Sequence, residues 1–104
     1  MKDYNIYDVK NVLDSIKENP YGIKETPHYG LQAKKRSIDF NIINEKLLDN
    51  IPVSTQKTAY YSNRFELIYE YSKNQDLYIA IDIINNNEIM VITVILKSIK
   101  RRVH

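Results

Sequence analysis

Residues 65–97 read FELIYEYSKNQDLYIAIDIINNNEIMVITVILK, and this stretch decides the fold. Apolar and polar side chains alternate over residues 65–72, which predicts a half-buried strand. The elements predicted after it are a hairpin loop at 73–76, a strand at 77–84, an asparagine turn at 85–87 and a strand at 88–97. Residues 57–61 add a short fourth strand. Because the loops are short, we expect an antiparallel meander of three to four strands.

Both faces of this predicted sheet are apolar over much of their area. If the registers follow the loops, one face holds Phe65, Leu67, Tyr69, Tyr71, Tyr78, Ala80, Ile84, Met90, Ile92 and Val94. The other face holds Ile68, Ile79, Ile81, Ile83, Ile89, Val91 and Ile95. Helices can cover one face, whereas the other needs loops, a partner protein or a second copy of the chain. We therefore expect a homodimer or a protein partner.

Helical patterns precede the strands. Residues 4–18 place apolar side chains at helical spacing against a charged face, and Pro20 with Gly22 ends this helix. Residues 23–27 are predicted to be a loop, and a short helix follows at 28–36. A third helix runs over 40–49, with Asp39 as its N-cap. The sequence predicts a single α+β domain over residues 1–104, divided into a helical part (about 4–49), a sheet part (about 57–98) and a basic tail (99–104).

Composition narrows the chemistry. The 104 residues contain no cysteine, which excludes disulfides, cysteine metal sites and thiol catalysis. The start MKDYNIYDVK has no apolar core of a signal peptide, and the longest apolar run, 89–96, is too short to span a bilayer. No glycine-rich phosphate loop and no metal-ligand motif is present. We therefore expect a cytoplasmic protein that needs no membrane, metal or cofactor.

The distribution of charge says more about partners than the net charge of +2. One set of cations lies at Lys34, Lys35 and Arg36. A second set follows the last strand, at Lys97, Lys100, Arg101 and Arg102. If the tail packs beside the second helix, the two sets form one patch that attracts the phosphates of RNA. The alternative is a solvated helix face and a solvated tail.

His28 is the candidate for acid–base chemistry, because imidazole titrates near neutral pH. On a helix, Lys35 lies seven residues on and nearly on the same face, with Arg36 on its flank. Such a set can place a base and two cations around one phosphate. The alternative is a capping or surface histidine. His104 is a second imidazole at the end of the sequence, and Asp82 is a carboxylate among apolar neighbours that needs an arginine, a histidine or water as partner.

These residues resemble a known family. His28, Arg36 with Ser37-Ile38-Asp39, and a helix ending near Leu47-Leu48 are similar to the "H…R-G-I-S" pattern of small uncharacterised domains related to the toxins of toxin–antitoxin pairs. Residues 65–69 and 89–94 resemble strands of their sheet. The wider group is the RelE/ParE-like, or barnase–EndoU–colicin–RelE-like, nuclease fold.

The resemblance implies helices on a meander sheet, with a site where His28 and Arg36 approach the sheet. Many members of the group are metal-independent ribonucleases, and the implied protein partner is an antitoxin. Two positions depart from the pattern. Gln32 stands where a second arginine is common, and Ser37 stands where a glycine follows the later arginine. The missing cation bears on catalysis more than on fold.

The sequence supports three function hypotheses. In the first, a RelE-like toxin-type domain binds and cleaves RNA without metal. His28 is the general base or acid, and Arg36 and Lys35 stabilise the charged phosphate. The RNA backbone is held by Lys34, Lys97, Lys100, Arg101 and Arg102. The second is a non-catalytic protein-interaction or homodimerisation module that uses the second apolar sheet face. The third is nucleic-acid binding without cleavage. The first requires His28 and Arg36 to converge, whereas the second has them apart beside an apolar sheet surface.

Overall fold

Three helices pack on a five-stranded sheet in the computed structural model, which describes residues 3–49, 51–58 and 63–99. The helices are α1 (Ile6–Glu18), α2 (Pro27–Lys35) and α3 (Phe40–Asp49), with a 3₁₀ turn at Pro20–Gly22. The strands are β1 (Ile23–Glu25), β2 (Ser54–Lys57), β3 (Arg64–Ser72), β4 (Gln75–Asn85) and β5 (Glu88–Ser98). They lie in the order β1-β5-β4-β3-β2. The predicted α+β class, with N-terminal helices packed on the sheet, is confirmed.

The predicted antiparallel meander is confirmed as β2, β3, β4 and β5, and a fifth strand that was not predicted, β1, makes the sheet mixed. β1 pairs in parallel with β5, so that Ile23 lies opposite Ile89 and Glu25 opposite Val91. Residues 23–25 therefore form a strand and not the predicted loop. Three residues are too few to show an alternating pattern, and the partner strand is distant in sequence, so this pairing leaves no local signal.

The strand predicted at 57–61 begins earlier. β2 is Ser54–Lys57 and pairs antiparallel with β3, with Gln56 opposite Glu66. Its sequence STQK has no large apolar side chain, which is why the pattern did not reveal it. Residues 59–61 of the predicted strand lie outside the described residues.

Bulges decide which side chains share a face. Ser72 pairs with Gln75 across a two-residue turn, whereas Glu70 pairs with Asp76, so Tyr71 is an extra residue in β3. An extra residue reverses the faces of everything beyond it. A second shift leaves Ile92 as the extra residue of β5. The predicted face assignment is therefore wrong: the buried face comprises Phe65, Leu67, Tyr69, Leu77, Ile79, Ile81, Ile83, Ile89, Val91 and Val94.

Local capping explains where the helices begin. Asn5 accepts from the amides of Tyr7 and Asp8, and the Asp8 carboxylate accepts from the Asn5 amide, which completes a capping box at the start of α1. α3 begins after Asp39, whose Oδ1 accepts from the Asn41 amide at 2.8 Å. The predicted N-cap at Asp39 is confirmed. α1 begins two residues later than predicted, at Ile6, because Asn5 is the cap.

One core joins the buried side of the sheet to all three helices. α1 contributes Val9, Val12, Leu13 and Ile16; α2 contributes Tyr29 and Ala33; α3 contributes Ile43 and Leu47. The Tyr29 ring meets the Phe40 ring edge-on at 5.5 Å, which ties α2 to α3. The helices therefore lie on one side of the sheet.

Two hydroxyl groups in this core, those of Tyr29 and Tyr69, have no hydrogen-bond partner among the described residues. Burial raises the pKa of both, and the nearby Glu25 carboxylate raises that of Tyr29 further. An unsatisfied buried hydroxyl costs about 1–3 kcal/mol. Both rings therefore contribute packing at the cost of a dehydrated hydroxyl.

We expect Tyr69→Phe to raise the free energy of unfolding by about 1 kcal/mol, because it removes an unpaired polar group without changing the ring. Tyr4→Phe is the control and should lower the free energy of unfolding, since the Tyr4 hydroxyl donates to Asn86 Oδ1 at 2.9 Å.

Unfolded tyrosine ionises near pH 10 while the buried hydroxyls of Tyr29 and Tyr69 stay protonated, so wild-type stability should fall above about pH 10. A Tyr29→Phe, Tyr69→Phe double variant should fall less in urea titrations across this range. An equal fall in both proteins would contradict this assignment.

Alanine at each of the two glycines should change the free energy of unfolding in opposite directions. A Cβ on Gly22 would collide with the Asn87 carbonyl oxygen, whereas a Cβ on Gly30 would meet nothing within 4 Å. Gly22→Ala should therefore cost about 1–3 kcal/mol of unfolding free energy. Gly30→Ala, within α2, should add about 0.5–1 kcal/mol. Urea midpoints measure both, and a shift in the same direction for the two variants would contradict the packing described at Gly22.

Candidate functional site

Helix α2 carries the predicted catalytic residues, and both of its ends are attached to β5. At its start, Thr26 Oγ1 accepts from the Tyr29 amide at 3.1 Å and donates to the Val91 carbonyl at 3.2 Å. Pro27 occupies the first turn, where its missing N–H and fixed φ suit a helix start. The helix therefore begins one residue before the predicted His28, and its position against the sheet is set by hydrogen bonds.

The end of α2 is a Schellman turn. The Ile38 amide donates to the Ala33 carbonyl at 2.9 Å, and the Ser37 amide donates to the Lys34 carbonyl at 3.2 Å. Ser37 has φ of 56°, the left-handed conformation that glycine adopts at lower cost. This is the position at which the resembled pattern has glycine. Ile38 is buried and anchors the turn in the core.

His28 and Arg36 lie at opposite ends of this nine-residue helix. Eight residues of α-helix separate their backbones by about 12 Å along the axis. His28 is exposed in the first turn, and no described side chain makes an ion pair with it. The Arg36 guanidinium donates to the Val94 carbonyl of β5 and is committed to that strand. The backbones of the pair therefore lie at opposite ends of α2, and a catalytic role for the two residues stays a prediction.

Lys34 and Lys35 are exposed in the last turn of α2. Cations there stabilise the negative end of the helix dipole, which is a structural reason for the cluster. Lys35 lies on nearly the same face as His28 but two turns away. These two cations and Arg36 form one basic end of the helix.

Lys97 lies elsewhere. Its ammonium sits 4.1 Å from the centre of the Tyr78 ring, on the side of the sheet opposite the helices. Within the described chain, Lys97 therefore does not join the cations of α2. The other predicted nucleic-acid-binding residues, Lys100, Arg101 and Arg102, lie outside the described residues, as does His104.

The sheet side opposite the helices carries an apolar stripe across β3, β4 and β5. We call it the outer face and define it by Ile68, Tyr78, Ala80, Met90 and Ile95, which alternate with the core residues. Four of these side chains are half-buried, and Ile68 is buried by its neighbours. None belongs to the core that the helices share.

Charged side chains flank this apolar stripe in an ordered way. Arg64 on β3 makes two hydrogen bonds to Asp82 on β4, Nε to Oδ1 at 2.6 Å and Nη2 to Oδ2 at 2.8 Å. The expectation that Asp82 needs a partner is confirmed, and the partner is an arginine. At the far end, Glu70, Asp76 and Lys97 lie in one row across β3, β4 and β5.

Sequence reasoning missed this surface. It predicted an open apolar face but assigned the wrong residues to it, because a bulge changes the faces without changing composition. The sequence did not identify Arg64. Arg64 forms the ion pair because it lies opposite Asp82 when β3 pairs with β4. The available signal was the charge between apolar neighbours at Asp82.

Comparison of the chain with protein-family models, with curated proteins and with solved structures gave no match. Among the described residues, the helices are all too short or too polar to cross a membrane. The likeness to RelE-type toxins therefore stays a prediction. RNA as a ligand, an antitoxin as a partner and a cytoplasmic location stay predictions as well. Any function proposed for the chain accordingly depends on its own geometry.

We expect Arg36→Ala to lower the free energy of unfolding by about 1–2 kcal/mol, because it removes a charge-assisted hydrogen bond between α2 and β5. His28→Ala should change it by less than about 0.5 kcal/mol, since the side chain is exposed. Urea denaturation measures both. Equal stability of Arg36→Ala and wild type would show that the guanidinium does not anchor the helix.

The same two variants test the nuclease hypothesis, provided that RNA cleavage in EDTA is compared at equal folded fraction. If His28 and Arg36 form a catalytic pair, both variants lose cleavage. From their separation we expect no cleavage that depends on both residues.

Proposed function

We propose that this protein is a homodimerisation module whose outer sheet face binds the same face of a second copy. The observation that carries the proposal is the apolar stripe of Ile68, Tyr78, Ala80, Met90 and Ile95, on the side of the sheet away from the helices. An apolar stripe on a sheet is stabilised by a second apolar layer about 10 Å away. The separation of His28 from Arg36 favours this hypothesis over catalysis.

The arrangement of the outer face favours a second copy as the occupant. A two-fold axis along β4 would place β5 of one copy over β3 of the other, as an isologous interface requires. Ile95 would then face Ile68 of the second copy, and Tyr78 would face its own equivalent. These three residues share one row of the sheet, so the apolar centre is self-complementary.

The outer charged row is compatible with the same axis. Lys97 on β5 and Glu70 on β3 lie in one row on either side of β4, so each would face the opposite charge in the second copy, while Asp76 between them would face its own equivalent with the Lys97 of each copy beside it. In the next polar row, Thr93 would face Glu66, and a hydroxyl can donate to a carboxylate. Arg64 would approach Met90, which is acceptable because Asp82 already neutralises the guanidinium.

We expect the wild-type chain to sediment as a dimer at micromolar concentration. Tyr78→Glu should give a monomer, because it places two carboxylates together at the axis in an apolar layer. Leu31→Glu is the matched control: Leu31 is 69 % exposed on α2 and away from the outer face, so its variant should stay dimeric. Sedimentation equilibrium measures the states, with circular dichroism to confirm folding.

Charge exchange tests the orientation. Lys97→Glu and Glu70→Lys should each weaken dimerisation by roughly three- to tenfold, as expected for rim ion pairs. The two changes in one chain should restore the affinity, because each new charge faces its complement again. A monomeric wild type would refute the function. A dimer that tolerates Tyr78→Glu would place the interface on another surface.

A further inference from the structure

The outer edge of the sheet at β2 has backbone groups that no described strand satisfies. The Thr58 amide donates to the Arg64 carbonyl at 2.9 Å. This bond shows which residues of β2 direct their amides and carbonyls toward β3. In an antiparallel pair, alternate residues bond to the same neighbour. Gln56, opposite Glu66, therefore bonds to β3, whereas Thr55 and Lys57 direct their amides and carbonyls away from it. An edge of this kind is a template for another strand.

An apolar groove lies directly beside this edge. It runs between α1 and the chain leading into β2, encloses about 190 Å³, and is lined by Ile6, Val9, Leu13, Ile51, Pro52 and Thr55. Ile51 is 79 % exposed and Ile6 is 43 % exposed. Because Thr55 belongs to both the groove and the edge, a strand added beside β2 would direct every second side chain into the groove. We call the two together the edge groove.

The charged side chains of α1 beside the groove indicate which kind of peptide it would bind. Lys10 and Lys17 of α1 border the groove, with Asp14 between them. Lys17 pairs with Asp14 at 3.6 Å, while Lys10 makes no ion pair with another described residue. An occupant with acidic residues near its apolar side chain would therefore be favoured.

We propose that the edge groove binds an extended, acidic peptide segment of another protein by strand addition to β2. The segment would exchange hydrogen bonds with Thr55 and Lys57, insert an apolar side chain between Leu13 and Ile51, and place a carboxylate near Lys10. Main-chain bonds supply affinity and the pocket supplies specificity in this mode of recognition.

A second copy of the chain fits this site less well than it fits the outer face. Its β2 reads STQK and offers no large apolar side chain for the groove. The edge groove and the outer face are different surfaces, so this proposal does not rest on the dimer.

The test is a titration of the ¹⁵N-labelled full chain with a blocked eight-residue peptide of alternating valine and glutamate. We expect amide shifts at Thr55 and Lys57 and methyl shifts at Ile51. The same peptide methylated on alternate backbone nitrogens should bind at least tenfold more weakly, because it cannot complete the ladder. A peptide of alternating valine and lysine should also bind more weakly.

Paired variants at one position separate strand addition from contact with the side chain. Thr55→Pro removes an amide that points away from β3, which an edge strand tolerates, and should weaken binding at least tenfold. Thr55→Val keeps the amide and should bind as wild type does. Ile51→Glu changes an exposed position and should weaken binding to a similar degree. It replaces Thr55→Pro as the test variant if Thr55→Pro does not fold.

Equal binding of the methylated and unmethylated peptides would overturn the proposal, as would the absence of shifts at β2 at millimolar peptide. Concentration-dependent shifts of Thr55 and Lys57 in the chain alone would identify a second copy as the occupant and would overturn it as well.

Discussion

The pairing of β4 with strands on both sides is the constraint on which the rest of the structure depends. It aligns Leu67, Ile79 and Val94 on one face and Ile68, Tyr78 and Ile95 on the other. Since a sheet residue can point to only one face, the register decides which apolar side chains the helices bury. The bulges at Tyr71 and Ile92 set that register. They bring the largest apolar side chains to the helical side and leave a smaller apolar stripe opposite.

The position of α2 is set by its bonds to the sheet. β1 pairs with the first residues of β5, and α2 continues beside the same strand, bonded to it through Thr26 and Arg36. This arrangement explains why the basic cluster of α2 and the Lys97 ammonium occupy different sides of the sheet. It also gives Arg36 a structural task that is separate from any contact with phosphate. A cation cluster at a helix end is accordingly weak evidence for RNA binding in this chain.

The two proposed surfaces depend on different kinds of unsatisfied group. The outer face has apolar side chains that no second layer of the described residues covers, and one of its rows carries Glu70 and Lys97 on opposite sides of β4. The edge groove has main-chain donors and acceptors that no described strand pairs, next to an apolar groove bordered by lysines. One surface would be covered by side chains and the other by backbone, so both can be occupied in the same molecule.

The sequence by itself determined the α+β class, the order of the three helices and of the antiparallel strands after them, the N-cap at Asp39, the bounds of α3 and the need of Asp82 for a partner. Each of these depends on neighbours in the chain or on a period that a few residues reveal. Only the tertiary structure decided that β1 is a parallel strand, which residues form the outer face, that Arg64 is the partner of Asp82, and that the Arg36 guanidinium bonds to β5. These features depend on pairings between distant segments and on bulges, and one extra residue reverses a whole face without altering the local pattern.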